Sequence, residues 1–230
     1  MYESEQQVAA EIVAEVCGLT RRVQDRIVAA SDSLAKGDRS PVTLADLAAQ
    51  IVVSLRLKAS FPGDPLLAEE DSGALEASPE MAEKVFEQVH ANIPDILPEA
   101  MVEALDRGDH AGEGQRYWVL DPIDGTKGFL RGDQYAVALA LVDGGRVVVG
   151  VLGCPNLPAP SDDSSDTIGF LFSAAASHGT IVRPLGSGDA KTTRVDHITD
   201  PADAVFCESV EAAHAAHSVQ AGIASRLGIT

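Results

Sequence analysis

The chain has 230 residues, with 35 acidic side chains against 17 basic ones and a formal net charge of −18. This length suits one large domain or two small lobes, and a globule of this size folds without a disulfide or metal staple. Apolar residues make up 45% and charged residues 23% of the chain, which excludes a disordered protein. The negative charge disfavours nucleic acid and anionic membranes as partners, because both are negatively charged themselves.

The cysteines and the N-terminus indicate a reducing compartment. Cys17, Cys154 and Cys207 are widely spaced and form no CxxC pair, so they predict free thiols and not a disulfide framework or a zinc site. The N-terminus begins acidic and lacks the basic region of a signal peptide. The apolar run Ala136–Val142 is far too short to cross a bilayer. We therefore expect a cytoplasmic protein.

Two helical patterns open the chain. Apolar residues recur every three or four positions from Val8 to Leu34, which predicts a long amphipathic helix that ends near Gly37. A second pattern follows Thr43 and runs to Phe61, where a Pro-Gly pair ends it. These two patterns predict a pair of packed helices.

The next segment mixes a short strand with further helices. The strand is predicted at Leu66–Ala68 and leads into three successive acids, Glu69-Glu70-Asp71. Residues 79–107 predict one or two helices interrupted at Pro94 and Pro98. The glycine-rich stretch that follows is predicted to be a loop.

From Tyr117 the pattern changes to strands. One strand is predicted to run from Tyr117 to Leu120 and to end at Asp121-Pro122. Two hairpins are predicted next, from segments 135–142 and 146–152 and from segments 168–174 and 180–184. Helices followed by antiparallel strands predict an α+β fold in which layered helices pack on an antiparallel sheet.

The remaining predictions concern a loop and the C-terminal segment. Residues 155–166 are rich in Pro, Ser and Asp and predict a solvated loop. A strand at 204–210 and a helix at 212–227 close the chain. One βα unit cannot cover both faces of a strand, so we expect a first lobe over residues 1–200 and the start of a truncated second α/β lobe over 201–230.

The most informative motif is Asp121-Pro122-Ile123-Asp124-Gly125-Thr126-Lys127-Gly128. Its two aspartates lie three positions apart at the end of a strand and can point into one space. The glycine after them allows a sharp turn, so that the following N–H groups can face an anion. A plain turn is the alternative, because Asp-Pro and Asp-Gly are common turn dipeptides. Six specified positions after a strand favour a site that binds a cation and a phosphate side by side.

Two other groups of acids have a structural alternative. Asp46 follows Thr43 by three positions, which also suits a capping box in the first turn of the second helix. The acids Glu69-Glu70-Asp71 would repel one another unless a cation or a basic group lies nearby, and a solvated acidic turn is the alternative. Local sequence alone leaves both interpretations open.

Three motifs in this order resemble the lithium-sensitive, magnesium-dependent phosphatase superfamily of inositol monophosphatase. They are Ser40–Asp46, Ala68–Ser72 and Asp121–Thr126. The extension Lys127–Val137 and the segment Glu208–His214 are similar to the 3'(2'),5'-bisphosphate nucleotidase branch of that superfamily. The resemblance covers nearly the whole chain and implies a layered αβαβα fold of the sugar-phosphatase type.

The resemblance also implies roles for individual residues. Mg²⁺ ions would be held by the side chains of Glu69, Asp121 and Asp124 and by the carbonyl oxygen of Ile123. Asp46 and Thr126 would form the hydrogen-bonded pair that orients and deprotonates the attacking water.

Substrate contacts follow from the same resemblance. The backbone N–H groups of Gly125 and Thr126 would hold the scissile phosphate, and His214 would contact the nucleotide. Lys127 and Arg131 are candidates for attracting the anionic substrate, since basic residues near a phosphate act as charge clamps.

The activity that the resemblance implies is removal of the 3'-phosphate of 3'-phosphoadenosine 5'-phosphate, which gives AMP and phosphate. The expected partner is therefore a small phosphorylated nucleotide, with no nucleic acid and no membrane, and the sequence does not give the oligomeric state. The family's second lobe supplies a further carboxylate in a Trp-Asp motif that does not occur after residue 210, so we expect this chain by itself to be weakly active or inactive. The alternatives are an inositol polyphosphate 1-phosphatase and an inactive remnant that binds metal or nucleotide.

Overall fold

The computed structural model describes residues 1–29, 40–159, 166–205, 207 and 217–229. Two compact units divide the chain, Met1–Thr193 and Arg194–Thr230. The predicted helix end near Gly37 and the substrate residue His214 lie outside the described residues. Among the described helices, none combines the length and the apolar character needed to cross a membrane.

In the first unit most helices lie before residue 107 and most strands lie after residue 115. The helices are α1 Glu3–Ala29, α2 Ser40–Ser60, α3 Gly73–Ala77, α4 Pro79–His90, α5 Pro98–Asp106 and α6 Thr126–Arg131. The strands are β1 Leu66–Leu67, β2 Arg116–Asp124, β3 Ala136–Asp143, β4 Arg146–Pro158, β5 Ile168–Ala175, β6 Gly179–Pro184 and β7 Lys191–Thr193. The second unit contains a short 3₁₀ turn, Pro201–Asp203, and α7 His217–Leu227.

The strands form one seven-stranded sheet in chain order from β1 to β7. Strand β1 pairs with β2 in parallel, and every later neighbour in the sheet is antiparallel. The predicted α+β architecture and both predicted hairpins are confirmed. Elements α3 and β7 were not predicted, because five and three residues are too few to show a periodic pattern.

The start of α2 differs from the prediction. The helix begins at Ser40 and not after Thr43, since proline at position 41 is tolerated in a first helical turn. Asp46 therefore lies in the second turn, and the first turn carries no acid. The capping-box interpretation of Asp46 is wrong for this reason. Helix α1 likewise begins at Glu3, five residues before the predicted start.

Two strands are longer than predicted, and one predicted strand is not found. Strand β2 continues through Pro122 to Asp124, with a shift of register between Asp121 and Asp124. Strand β4 extends to Pro158, so the predicted loop begins later than residue 155. Of residues 204–210, those that the structure describes are not in a strand.

The core lies between the helices and one face of the sheet. Helix α1 packs on α2 and on β3, β4 and β5, while α2 packs on β2. Side chains that point toward the helices are almost completely buried: Leu120, Leu139, Val151 and Leu171. Gly153 allows this close approach, because a Cβ there would overlap the sulfur of Cys17. The helix layer thus fixes β2 up to the motif that begins at Asp121.

Candidate active site

The central motif folds as a strand, a bulge, a turn and a helix. Strand β2 ends at Asp124 and α6 begins at Thr126. Between them Gly125 has φ +91°, a left-handed conformation that strongly favours glycine. The carbonyl oxygen of Gly125 accepts a hydrogen bond from the N–H of Phe129 at 3.0 Å. The sharp turn after the two aspartates, predicted from the sequence, is present.

The bulge in β2 separates the two aspartates of the motif. Asp121 pairs with Ala138 and Asp124 with Ala136, so three steps along β2 match two along β3. The extra residue buries the Ile123 side chain, while Asp124 is exposed at the end of the strand. A bulge commonly redirects a side chain beside a functional site.

The loop after β1 brings a second group of acids. Glu70 is half-buried, whereas Glu69 and Asp71 are exposed. The carboxylate of Asp71 accepts a hydrogen bond from the N–H of Gly73 at 2.8 Å, which stabilises the turn into α3. The N–H of Ala68 donates to the carbonyl oxygen of Gly108 at 2.9 Å. A wholly solvated acidic turn does not describe this loop, because one of its acids is partly buried.

Asp46 links the two loops electrostatically. Its side chain is 8% exposed. Burial, together with the negative charges of Glu70, Asp121 and Glu69, raises the pKa of the Asp46 carboxyl to about 8. A carboxyl on α2 therefore senses acids from both loops, which places the three motifs around one location.

Asp121 and Glu70 are also affected by the negative charges of neighbouring acids. Burial raises the pKa of Asp121, and the charges of Glu69 and Asp124 add to this effect, while a hydrogen bond from the backbone N–H of Ile123 opposes it. Burial also raises the pKa of Glu70, together with its neighbours Glu69 and Asp71 in the chain. The site therefore carries excess negative charge, which a bound cation would neutralise.

The donor chemistry fits a hard divalent cation. Carboxylate and carbonyl oxygens are the ligands that such ions prefer. Within the part of the chain that the structure describes, no three Asp, Glu, His or Cys side chains converge on a single point. A small ion such as Mg²⁺ commonly uses only one or two carboxylates and completes its shell with water and phosphate oxygens. The types of donor in the two acidic segments therefore suit an ion of this kind.

The predicted basic residues lie on α6, next to the motif. Lys127 and Arg131 are both exposed, and the Arg131 guanidinium contacts the Asp133 carboxylate at 2.7 Å. Two buried amides near the loops, Gln24 and Gln50, were not predicted from the sequence. A signal for Gln50 did exist, since it follows Asp46 by four positions and so lies on the same helix face.

Comparisons with a family profile and with curated relatives agree on one family. The profile described as the inositol monophosphatase family matches residues 1–227. The chain is 41% identical to 3'(2'),5'-bisphosphate nucleotidase 1 of Arabidopsis thaliana, over 99% of this chain and 70% of the relative. It is 37% identical to the 3'(2'),5'-bisphosphate nucleotidase of Schizosaccharomyces pombe, over 100% of this chain and 70% of the relative.

A solved structure supports the fold. Mycobacterium tuberculosis SuhB superposes with a TM-score of 0.51 and 22% sequence identity, over 86% of this chain. The match spans about half of that structure, 54% of its chain. At this identity the likeness shows the fold alone. With the family profile matching nearly all of its length, the chain belongs to the inositol monophosphatase family.

Proposed function

We propose that this chain is a Mg²⁺-dependent phosphomonoesterase that removes the 3'-phosphate of 3'-phosphoadenosine 5'-phosphate and yields AMP. The observation that carries the proposal is the 41% identity to a 3'(2'),5'-bisphosphate nucleotidase over 99% of the chain. The acidic loops after β1 and β2, which repel each other around Asp46, support a metal-dependent reaction. About 70% of the relative's length is matched.

The metal ligands in this proposal are Glu69, Asp121, Asp124 and the carbonyl oxygen of Ile123. Bound Mg²⁺ would neutralise phosphate charge and lower the pKa of a coordinated water. The fold keeps these carboxylates near one another although their charges repel. Because a cation would relieve this repulsion, their affinity for a cation is increased before substrate binds.

The chain's own groups handle the proton and the phosphate. Asp46, which bound Mg²⁺ would keep ionised, accepts the proton of the attacking water through the hydroxyl of Thr126. The N–H groups of Gly125 and Thr126 bind the phosphate that is cleaved, and the positive φ of Gly125 supports this orientation.

Nucleotide binding involves residues other than the metal ligands. His214 contacts the nucleotide, and Lys127 attracts its phosphates through the charge of an exposed ammonium group. The first lobe, residues 1–200, provides the metal and phosphate contacts.

Phosphate release is the direct test. We would incubate the purified chain with Mg²⁺ and either 3'-phosphoadenosine 5'-phosphate or an inositol bisphosphate, with and without Li⁺. Lithium-sensitive release from the nucleotide, lost in Asp121→Asn, is the expected result. A preference for the inositol substrate would favour the inositol polyphosphate 1-phosphatase. Release from neither substrate, with nucleotide still bound, would favour an inactive binding protein.

A further inference from the structure

We propose that two buried glutamines, Gln50 of α2 and Gln24 of α1, are positioning residues: Gln50 holds the acidic loop after β1 (residues 68–72), and Gln24 holds the loop after β2 (residues 125–135, which include α6) that follows the two aspartates of the motif. Each glutamine side chain reaches from the helix layer to the backbone of one loop. Neither touches the reacting groups, so each acts through the loop that it holds. The proposal rests on the proposed function for its kinetic consequences, whereas the loop geometry itself can be measured without activity.

Gln50 pairs with the backbone of Glu70 in both directions. Its Nε2 donates to the carbonyl oxygen of Glu70 at 2.6 Å, and its Oε1 accepts from the Glu70 N–H at 3.0 Å. The same Nε2 lies 3.4 Å from the carbonyl oxygen of Leu105. Gln50 has 0% exposure. The Gln50 amide thus forms with the Glu70 backbone the two hydrogen bonds that a neighbouring strand would form. Glu70 directly follows Glu69, the proposed metal ligand.

The surroundings of Gln50 indicate a site built around its amide. A Cβ at Gly108 would lie 2.7 Å from Nε2 of Gln50, so the absence of a side chain at this position makes room for the amide. Asp46 lies one helical turn before Gln50 on the same face of α2. One helix therefore carries both the buried acid and the residue that fixes the loop opposite it.

Gln24 holds the loop after β2 in a similar way. Its Nε2 donates to the carbonyl oxygens of Phe129 at 3.0 Å and Asp133 at 3.2 Å. Its Oε1 accepts from Nδ2 of Asn156 at 2.7 Å, and that nitrogen also donates to Asp133 at 2.8 Å. Gln24 is 3% exposed. Helix α1 and strand β4 are in this way joined to the segment that begins at Gly125.

The two contacts matter because phosphoryl transfer depends on alignment. Misplacing a catalytic group by about 1 Å can reduce the rate about a hundredfold. The acids after β1 and those of β2 repel one another, so without Gln50 the loop after β1 would move away from Asp121. Without Gln24, the loop after β2 would lose two of its backbone supports. Loss of Gln50 should therefore affect the cation first, and loss of Gln24 should affect the turn that carries Gly125 and Thr126.

The test compares three methionine variants, Gln50→Met, Gln24→Met and Gln6→Met, in the full chain. Methionine keeps the length of glutamine and removes its hydrogen bonds. Gln6 is the matched control, because it is buried in α1 and donates to Ser173 on β5 at 3.2 Å, away from both loops. Amide hydrogen exchange, Mg²⁺ calorimetry and steady-state kinetics are measured for each variant.

We expect Gln50→Met to speed exchange in residues 68–73 and to weaken Mg²⁺ binding by about tenfold, with little change in the KM for nucleotide. We expect Gln24→Met to speed exchange in residues 125–135 and to lower kcat by about tenfold or more. Gln6→Met should change neither the exchange in these loops nor Mg²⁺ binding nor the kinetics, although it should lower the thermal stability as the other two variants do. If Gln50→Met and Gln24→Met leave exchange in both loops at the level of Gln6→Met, the proposal is overturned, whether or not the chain is active. Wild-type protein without phosphatase activity, but with the expected exchange changes, would contradict only the proposed function.

Discussion

The two acidic loops are built by different means. The loop after β1, residues 68–72, is held by hydrogen bonds, chiefly those of the Gln50 amide with Glu70 and of the Ala68 N–H with Gly108, and its acids repel one another. The loop after β2, residues 125–135, is held by close packing as well as by hydrogen bonds. Phe129 and Tyr135 are buried in it with their rings edge to face at 4.9 Å. The first loop should therefore respond mainly to charge, and the second mainly to changes of volume.

The largest effect is expected for Asp121, which senses charges from both loops. The substitution Asp121→Asn removes a proposed cation ligand and should lower phosphate release by at least about a hundredfold. Unfolding without metal should require the same or a higher temperature, because one of the repelling carboxylates is gone. The exposed acid Asp95 offers a control, and Asp95→Asn should behave as wild type. If Asp121→Asn kept its activity, Asp121 would not be needed for catalysis.

The difference in volume tolerance can be tested with two glycines. A Cβ at Gly128 would overlap the backbone carbonyl oxygen of Gln134, whereas a Cβ at Gly73 would meet only the carboxylate of Asp71, which can rotate away. We expect Gly128→Ala to lower activity more than about tenfold and to cost about 1–3 kcal/mol of stability. Gly73→Ala should cost much less, and urea unfolding with kinetics would measure both. Equal effects of the two substitutions would argue against the contrast between the loops.

The titration of Asp46 should make the stability of the metal-free protein depend on pH. Its folded pKa, about 8, lies above the usual value, so the folded state binds a proton more tightly than the unfolded state. Stability should fall as the pH rises from about 4 and level off above about 8. Between about pH 5 and pH 8 the loss should be on the order of 2–4 kcal/mol.

Chemical unfolding in the presence of a chelator at the two pH values would measure this loss. The substitution Asp46→Asn should make the pH dependence much smaller, and adding Mg²⁺ to wild type should reduce it as well. A pH dependence that is the same in Asp46→Asn would assign the effect to other groups.

A smaller effect is expected where α1 meets the second loop. The hydroxyls of Thr20 and Tyr135 lie 2.8 Å apart in a buried hydrogen bond. Thr20→Val leaves the Tyr135 hydroxyl without this partner and should destabilise by about 1–3 kcal/mol. Tyr135→Phe should cost less, since Thr20 retains its bond to the Cys17 carbonyl oxygen. Calorimetric melting of both variants would rank them, and the reverse order would contradict the assignment.

The sequence was most informative where a pattern repeats or a turn needs a special residue. The two long helices and both hairpins follow from apolar spacing, and the turn at Gly125 follows from its motif. The start of α2 differs from the prediction because the apolar pattern begins only after Thr43, whereas the first turn contains Pro41 and has no such pattern. The end of β2 was misplaced because Asp and Pro are uncommon in strands, and the bulge that accommodates them is a tertiary feature.

The contacts of the two glutamines could not be predicted in the same way. Gln50 binds the backbone 20 residues later and Gln24 binds the backbone 105 residues later. Backbone carbonyls are present at every residue, so a glutamine in a helix carries no sign of which one it will bind. The electrostatic effect of Glu69, Glu70 and Asp121 on Asp46 follows a grouping that the family resemblance implied and that spacing alone did not predict.

Calorimetric titration with Mg²⁺ near pH 7, in two buffers of different ionisation enthalpy, tests most directly whether the two loops form one cation site. We expect wild-type protein to bind Mg²⁺ and to release protons, because a cation beside Asp46 favours its ionised form. Binding should be lost in Asp121→Asn, and the released protons should be lost in Asp46→Asn. Wild-type protein that binds no Mg²⁺, or binding that is unchanged in Asp121→Asn, would contradict a shared cation site.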